Sequence, residues 1–294
     1  RLFIMITGEP YPNLVDSLNR QELKQSYIKQ QAELENQDRN KRIPKKHNVF
    51  RIMTYNVYGF NFFKNSAGEI KKIIDILDPD IINFQEFNNE FNIDGYRQFY
   101  KLTMNNEDTG LGVLNKIEHD KNTLYSSHII PKDTIIWSNY VKDNKIQVIS
   151  ENDIRAFIHT QLNIKKGNNV IQINIINTHL DVWDETGKTR FYEINVIVQY
   201  IQKHGLKNVI LLGDFNDINM DLLPKTLTGE LEINFKRRVP HVKVIPTDTF
   251  NYLYKVGFVD SYKYINKPSP LYSCWAGRKV DHILFYKPTW NLTV

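Results

Sequence analysis

Cysteine is almost absent from this 294-residue chain, with Cys274 the single example. An intrachain disulfide framework and a cysteine-rich zinc cage are therefore excluded, and Cys274 reads as a packed thiol in a reducing compartment. Long hydrophobic runs are missing as well. No apolar stretch approaches the roughly 18 to 20 residues of a membrane-spanning helix, and amide residues interrupt even the densest run, Val170 to Ile176. The expectation is a soluble, intracellular, monomeric protein with no integral membrane segment. A polybasic tail is absent too: Lys plus Arg number 38 against 33 Asp plus Glu, a net charge of +5. That balance favours polyanionic partners, nucleic acid among them, without selecting one. What the chain does have is 41% hydrophobic residues, enough to bury a full core and to exclude disorder and collagen.

The organisation changes once along the chain. The first residue is Arg1 rather than Met, and the apolar Leu2 to Thr7 is too short for a complete signal peptide, so trimmed ends are expected. Asp16 to Lys46 is dense in Gln, Glu, Lys, Asn and Arg with sparse apolar residues. It reads as a mostly solvated helix followed by a basic linker, Arg39 to Lys46, whose charges are either a solvated run or a contact to phosphates. After His47 the texture turns to short apolar runs of strand length: Arg51 to Asn56, Asp80 to Phe84, Val170 to Thr178, Asn208 to Leu212 and Val280 to Phe285. Two segments carry helical spacing. Gly68 to Leu77 places Ile70, Ile73, Ile74 and Leu77 on one face, and Lys188 to Gln202 does the same with Ile194, Ile197, Val198 and Ile201. The reading is a layered α/β or α+β domain over residues 49–294, preceded by an N-terminal extension over residues 1–48.

Four of the strand-like runs end in a residue with chemistry to offer. Arg51 to Asn56 ends in an amide, Asp80 to Glu86 in a carboxylate, Ile175 to His179 in an imidazole, and Val209 to Asn216 in the carboxylate of Asp214 and an amide. If the strands are neighbours, these ends converge on one rim of a sheet. One or two carboxylates with an amide oxygen would satisfy Mg²⁺, which keeps several waters and shares its shell with a substrate phosphate, so Glu86 and Asn56 are the first candidates as ligands. Each residue also has an ordinary reading, since Asn after a strand and Gly-Asp are turn chemistry and a lone His is commonly hydrogen-bonded filler. Their order and contexts together weigh against coincidence.

In that order they resemble the endonuclease/exonuclease/phosphatase superfamily. Thr54-Tyr55-Asn56 is similar to its Asn motif, Phe84-Gln85-Glu86 to its glutamate motif, Asn177-Thr178-His179-Leu180 to its first histidine motif, and Gly213-Asp214-Phe215-Asn216 to its GDxN motif. Gly110 to Lys116 resembles the segment written G-x-A-I-L-S-R, and Gly257-Phe-Val-Asp260 a GxxD stretch. The resemblance implies a four-layer α/β/β/α sandwich of two packed mixed β-sheets flanked by helices, and a metal-dependent phosphoester hydrolase using Mg²⁺, with Mn²⁺ as a substitute. It departs from the pattern at the end. Lys279-Val-Asp281-His-Ile-Leu284 matches the R-[IV]-D-x-[IV]-L motif with Lys for Arg, but no S-D-H follows before Val294. Either the chain stops before that motif, the preferred reading, or Asp281 and His282 serve as its D-H pair.

The resemblance also implies roles. Glu86 with Asn56 would hold the metal, Asp214 would orient or deprotonate the attacking water, Asn216 would donate to a phosphate oxygen, and His179 would stabilise developing charge, with Asp281 and His282 completing the catalytic set. The basic triplet Lys236-Arg237-Arg238 and the aromatics Tyr262, Tyr264, Tyr272 and Trp275 suit a phosphate backbone with bases stacked beside it, or else a solvated loop and core packing. Arg190, on the helix after the histidine motif, would reach a phosphate or form a surface salt bridge. The leading expectation is a nuclease or DNA-end phosphodiesterase. The alternatives are a lipid phosphodiesterase or inositol polyphosphate phosphatase, acting on a lipid headgroup or small phosphoester, and a catalytically impaired binding module.

Overall fold

Short runs buried on both faces set the architecture, because each strand gives one face to each of two neighbouring layers. The computed structural model describes residues 3–6, 50–60, 66–104, 109–116, 123–132, 154–166, 169–182, 187–217, 219, 248–264 and 280–286. The first sheet holds β1 (Phe3–Ile6), β2 (Arg51–Asn56), β3 (Ile81–Asn88), β4 (Tyr96–Met104) and β5 (Thr109–Lys116) in the order β1-β2-β3-β5-β4. Its first three strands run parallel and the others antiparallel. The second sheet holds β6 (Thr123–Ile130), β7 (Arg155–Lys166), β8 (Asn169–His179), β9 (Val209–Asp214), β10 (Phe258–Asp260) and β11 (Asp281–Tyr286) in the order β10-β11-β9-β8-β7-β6. In this mixed sheet β8 and β9 are parallel, and the other neighbours are antiparallel. Residues 1–48 were expected to lie outside the domain, yet Phe3–Ile6 pairs alongside β2 as an edge strand.

Three buried clusters define four layers. Ile52, Ile81, Leu111, Ile158, Ile175, Leu212, Ile283 and Phe285 fill the space between the sheets. On the outer face of the first sheet, Met53, Ile82, Phe84, Phe87 and Leu114 pack on α1 (Ser66–Leu77). On the outer face of the second, Ile176, Leu211, Phe215 and Leu284 pack on α2 (Lys188–Lys203) and α3 (Asp248–Lys255). A fourth, one-turn helix, α4 (Ser261–Tyr264), follows β10. The result is the expected α/β/β/α sandwich. Each fully buried Ile, Leu or Phe contributes about 1.5 to 3 kcal/mol relative to exposure, so these layers dominate the stabilisation.

The two helices read from the sequence are present, with ends the local chemistry explains. In α1, Ile70, Ile74 and Leu77 are buried, and Glu69 lies in the first turn where the helix dipole favours an anion. It stops where Asp78 adopts φ +48 ahead of Pro79, which cannot extend the helix. In α2, Ile194, Ile197, Val198 and Ile201 are buried. Gly205 at φ +59 closes it, with the Leu206 N–H donating to the Ile201 carbonyl.

Candidate active site

The inward positions of the strands are apolar at one end and turn polar toward one rim. Along β2, Ile52 and Thr54 lead to Asn56, and along β3, Ile81 and Asn83 lead to Gln85. Glu86 breaks the alternation. The pairing of β3 with β5 slips between Phe84 and Phe87, and Glu86 takes φ +50, a conformation rare for a residue with a Cβ. The bulge leaves Phe84 and Phe87 stacked on the outer face with ring centroids 4.9 Å apart. Gly112 is required opposite, since a Cβ there would strike the Phe87 ring.

The second sheet supplies the rest. His179 and Asp214 are Cα partners on the parallel strands β8 and β9, and Asp281 pairs with Asp214 from β11. Gly213 precedes Asp214 for a steric reason: its φ is +135 and a Cβ would run into the Thr178 carbonyl oxygen.

These side chains meet. Asn56 Nδ2 donates to Glu86 Oε1 at 2.8 Å and to Asp214 Oδ2 at 3.0 Å, which bridges the two sheets. His179 Nε2 lies 3.9 Å from Glu86 Oε1 and 4.0 Å from Asp214 Oδ2. The Asn216 N–H donates to Asp214 Oδ1 at 2.8 Å, from a residue at φ +48. Two carboxylates thus converge on one neutral amide nitrogen beside an imidazole, and such oxygen donors suit a hard divalent cation. Among the described residues no three His, Cys, Asp or Glu side chains form a metal cage; a cation that keeps most of its waters needs only one or two carboxylates.

A family model described as the endonuclease/exonuclease/phosphatase family matches residues 53–294. The chain belongs to that family. It is accordingly a phosphoester hydrolase, of a family generally dependent on divalent metals. The fold is similar to that of the human Nocturnin catalytic domain with bound sulfate, at 17% identity and a TM-score of 0.53, covering 81% of this chain and 82% of that one. It is also similar to an endonuclease/exonuclease/phosphatase from Bacteroides vulgatus, at 12% identity and a TM-score of 0.50, covering 79% and 85%. No curated protein matches the chain by sequence.

Within this family enzyme, four expected residues have partners the sequence did not imply. Asn56 was expected as an oxygen ligand, but its Oδ1 accepts the Tyr58 N–H at 3.0 Å and its nitrogen faces the carboxylates. Asp214 Oδ2, which accepts from the same Asn56 nitrogen, is the second carboxylate oxygen at this point. Arg190 is buried, with Nη1 donating to the Asp181 carbonyl at 3.1 Å and Nε 4.0 Å from the Asp217 carboxylate, so its ion pair is an internal one and not a surface salt bridge. His282 lies on the opposite face of β11 from Asp281, because adjacent strand residues point to opposite sides. It is fully buried under α3 against Phe215 and Phe250, and donates from Nε2 to the Asp217 carbonyl at 3.1 Å. A D-H pair made of Asp281 and His282 is excluded by that geometry. Asn216 was expected to face a phosphate, and its Nδ2 donates to the Leu180 carbonyl at 2.9 Å.

Sequence reasoning missed the amide network behind the site. Gln85 Nε2 donates to Asn177 Oδ1 at 2.7 Å across the sheet interface, and Asn177 Nδ2 donates to the carbonyls of Phe84 and Gly112 at 3.0 and 3.2 Å. All of this is buried. The available signal was a polar residue on an inward position of an otherwise apolar strand. The expected contributions of Tyr272, Trp275, Cys274, Lys236-Arg237-Arg238, Lys279 and the helix and basic linker over Asp16 to Lys46 lie outside the described residues. Tyr262 and Tyr264 sit on α4; burial, with Asp260 beside it, pushes the Tyr262 hydroxyl up to about 12, and Tyr264 packs edge-on to Phe285. Among the described residues no helix is long and apolar enough to cross a membrane.

Proposed function

We propose that the protein is a Mg²⁺-dependent phosphodiesterase acting on nucleic acid, as a nuclease or DNA-end-processing enzyme. The observation that carries this reading is the convergence of Glu86, Asp214 and His179 around Asn56 at one rim of the sandwich. The net charge of +5 supports a polyanionic substrate.

Glu86 and Asp214 would hold the cation, which when bound supplies charge neutralisation at a phosphate oxygen. The chain's own residues do the rest. Asp214, fixed by the Asn216 N–H, accepts a proton from the attacking water as its oxygen bonds to phosphorus and the ester P–O bond breaks. His179 donates a hydrogen bond to the phosphoryl oxygens as charge develops on them, and Asn56 keeps both carboxylates in place. Asp281 borders Asp214 in register.

The test is hydrolysis of a labelled oligonucleotide panel, single-stranded, duplex, abasic and 5′-tyrosyl, with Mg²⁺ or EDTA. Glu86→Ala and Asp214→Ala are compared with wild type. Mg²⁺-dependent cleavage lost in both variants supports the reading. Turnover of sphingomyelin or an inositol phosphate instead, with the oligonucleotides intact, overturns the substrate assignment.

A further inference from the structure

The turn that follows His179 is held at four main-chain groups by side chains and at a fifth by backbone. The His179 carbonyl accepts from Arg155 Nη1 at 3.5 Å. The Leu180 N–H donates to the Asp214 carbonyl at 2.9 Å, and its carbonyl accepts from Asn216 Nδ2. The Asp181 N–H donates to Glu193 Oε2 at 2.8 Å, and its carbonyl accepts from Arg190 Nη1 at 3.1 Å. The carboxylates of Asp181 and Asp217 lie 3.7 and 4.0 Å from Arg155 and Arg190. Arg155 comes from β7, Arg190 and Glu193 from α2, and Asp217 from the loop after β9. Arg155, Asp181, Arg190, Glu193 and Asp217 are all at most 8% exposed.

Burying so many ionisable groups is a poor route to stability, because desolvation offsets most of the attraction and apolar packing does as well or better. What it secures here is a fixed backbone at one point. His179 depends on that point, since its Nε2 sits nearly equidistant from Glu86 and Asp214. A misplacement of about 1 Å at a reacting group can cost roughly 100-fold in rate.

We propose that Arg155, Arg190 and Glu193 are positioning residues that clamp the His179 to Asp181 turn and so aim the His179 imidazole at the site. The inference rests on the reading of His179 as part of that site. Burial pushes the Glu193 carboxyl up to about 8, against the pull of Arg155 and Arg190, so near pH 7 it is mainly neutral and accepts the Asp181 N–H without repelling the Asp181 carboxylate. The groups facing it are Arg155, Asp181 and Arg190.

The test uses the full chain labelled with ¹³C-histidine and read by NMR, with the His179 ring signal identified by its loss in His179→Gln. In Arg190→Met and Glu193→Leu the His179 signal is expected to shift or broaden while those of His128 and His204 stay in place. Glu193→Gln, which keeps an oxygen acceptor for the Asp181 N–H, is expected to restore it. Where substrate turnover is measurable, kcat falls about 10- to 100-fold in the first two variants with KM within about twofold. If Arg190→Met does not fold, Arg190→Lys is used, since it lacks the planar fork that spans Asp181 and Asp217. A His179 signal unchanged in folded variants overturns the clamp. Wild-type turnover surviving in Glu86→Ala and Asp214→Ala overturns the site reading instead, and the NMR result still decides the clamp on its own.

Discussion

Replacing Glu193 by Gln is expected to stabilise the protein, and by an amount that depends on pH. The side chain is 2% exposed, and burial lifts its carboxyl from an ordinary 4.5 to about 8. Below pH 4.5 the group is neutral in both folded and unfolded chains, so the variant gains nothing there. Between 4.5 and 8 the unfolded chain ionises while the fold holds the proton, so the wild type loses stability as pH rises. At about 1.4 kcal/mol per pH unit the loss is roughly 3 kcal/mol at pH 7 and levels off near 5 kcal/mol above pH 8. Gln matches the neutral carboxyl in shape and keeps an acceptor for the Asp181 N–H, so it escapes that loss. Urea unfolding of both proteins from pH 4 to 9 measures the effect as a widening gap in midpoint at unchanged slope. A gap that stays flat across this range would show that Glu193 is ionised in the fold, paired with Arg155 and Arg190, and would refute the reasoning.

The histidines of β6 and β7 that pack on Tyr200 of α2 give the opposite trend. Burial first, then repulsion from His159 and His204 on His128 and from His204 on His159, lower both below 6.5, so protonation of the unfolded chain drains stability as pH falls through 6.5; substituting both by Gln should flatten the acid limb of the wild-type stability curve. Gly213→Ala forces a Cβ onto the Thr178 carbonyl at φ +135 and should cost at least roughly 3 kcal/mol, read as a lower thermal midpoint and lost turnover. Asn177→Ala removes the acceptor of the 2.7 Å Gln85 bond and the donor to two buried carbonyls between the sheets and should cost about 1 to 3 kcal/mol by urea titration. His282→Gln should lower the melting temperature and leave kcat of the folded enzyme within about twofold, whereas His179→Gln should abolish turnover with little change in melting.

The strands that carry the site were legible because each pairs an apolar run with a polar end: β2, β8 and β9 lie within a residue or two of their expected bounds, and α1 and α2 follow their apolar spacing. β3 runs to Asn88, past the expected Phe84, because a bulge at Glu86 lets pairing resume at Phe87. β6 was illegible for a different reason: as the last strand of its sheet it is only partly covered, and Thr123, Tyr125, Ser126 and Ser127 leave no clean alternation. The site itself divides the same way. Residue types named Glu86, His179 and Asp214, while the direction of the Asn56 amide depends on the Tyr58 N–H, and the burial of Arg190 and His282 depends on layers packed from distant segments. A tertiary hydrogen bond leaves no periodicity to read.

The active rim belongs to neither sheet alone, since Asn56 and Glu86 arrive on one and His179 and Asp214 on the other. Catalytic competence is therefore a reporter of docking between halves rather than of secondary structure. During refolding, strands and helices that recover first would register in circular dichroism while hydrolysis stays silent, and activity would return with the closing of the apolar interface. An enzyme arranged in this way carries no hydrolytic activity on a half-formed chain, which is a form of temporal safety written into where its carboxylates come from.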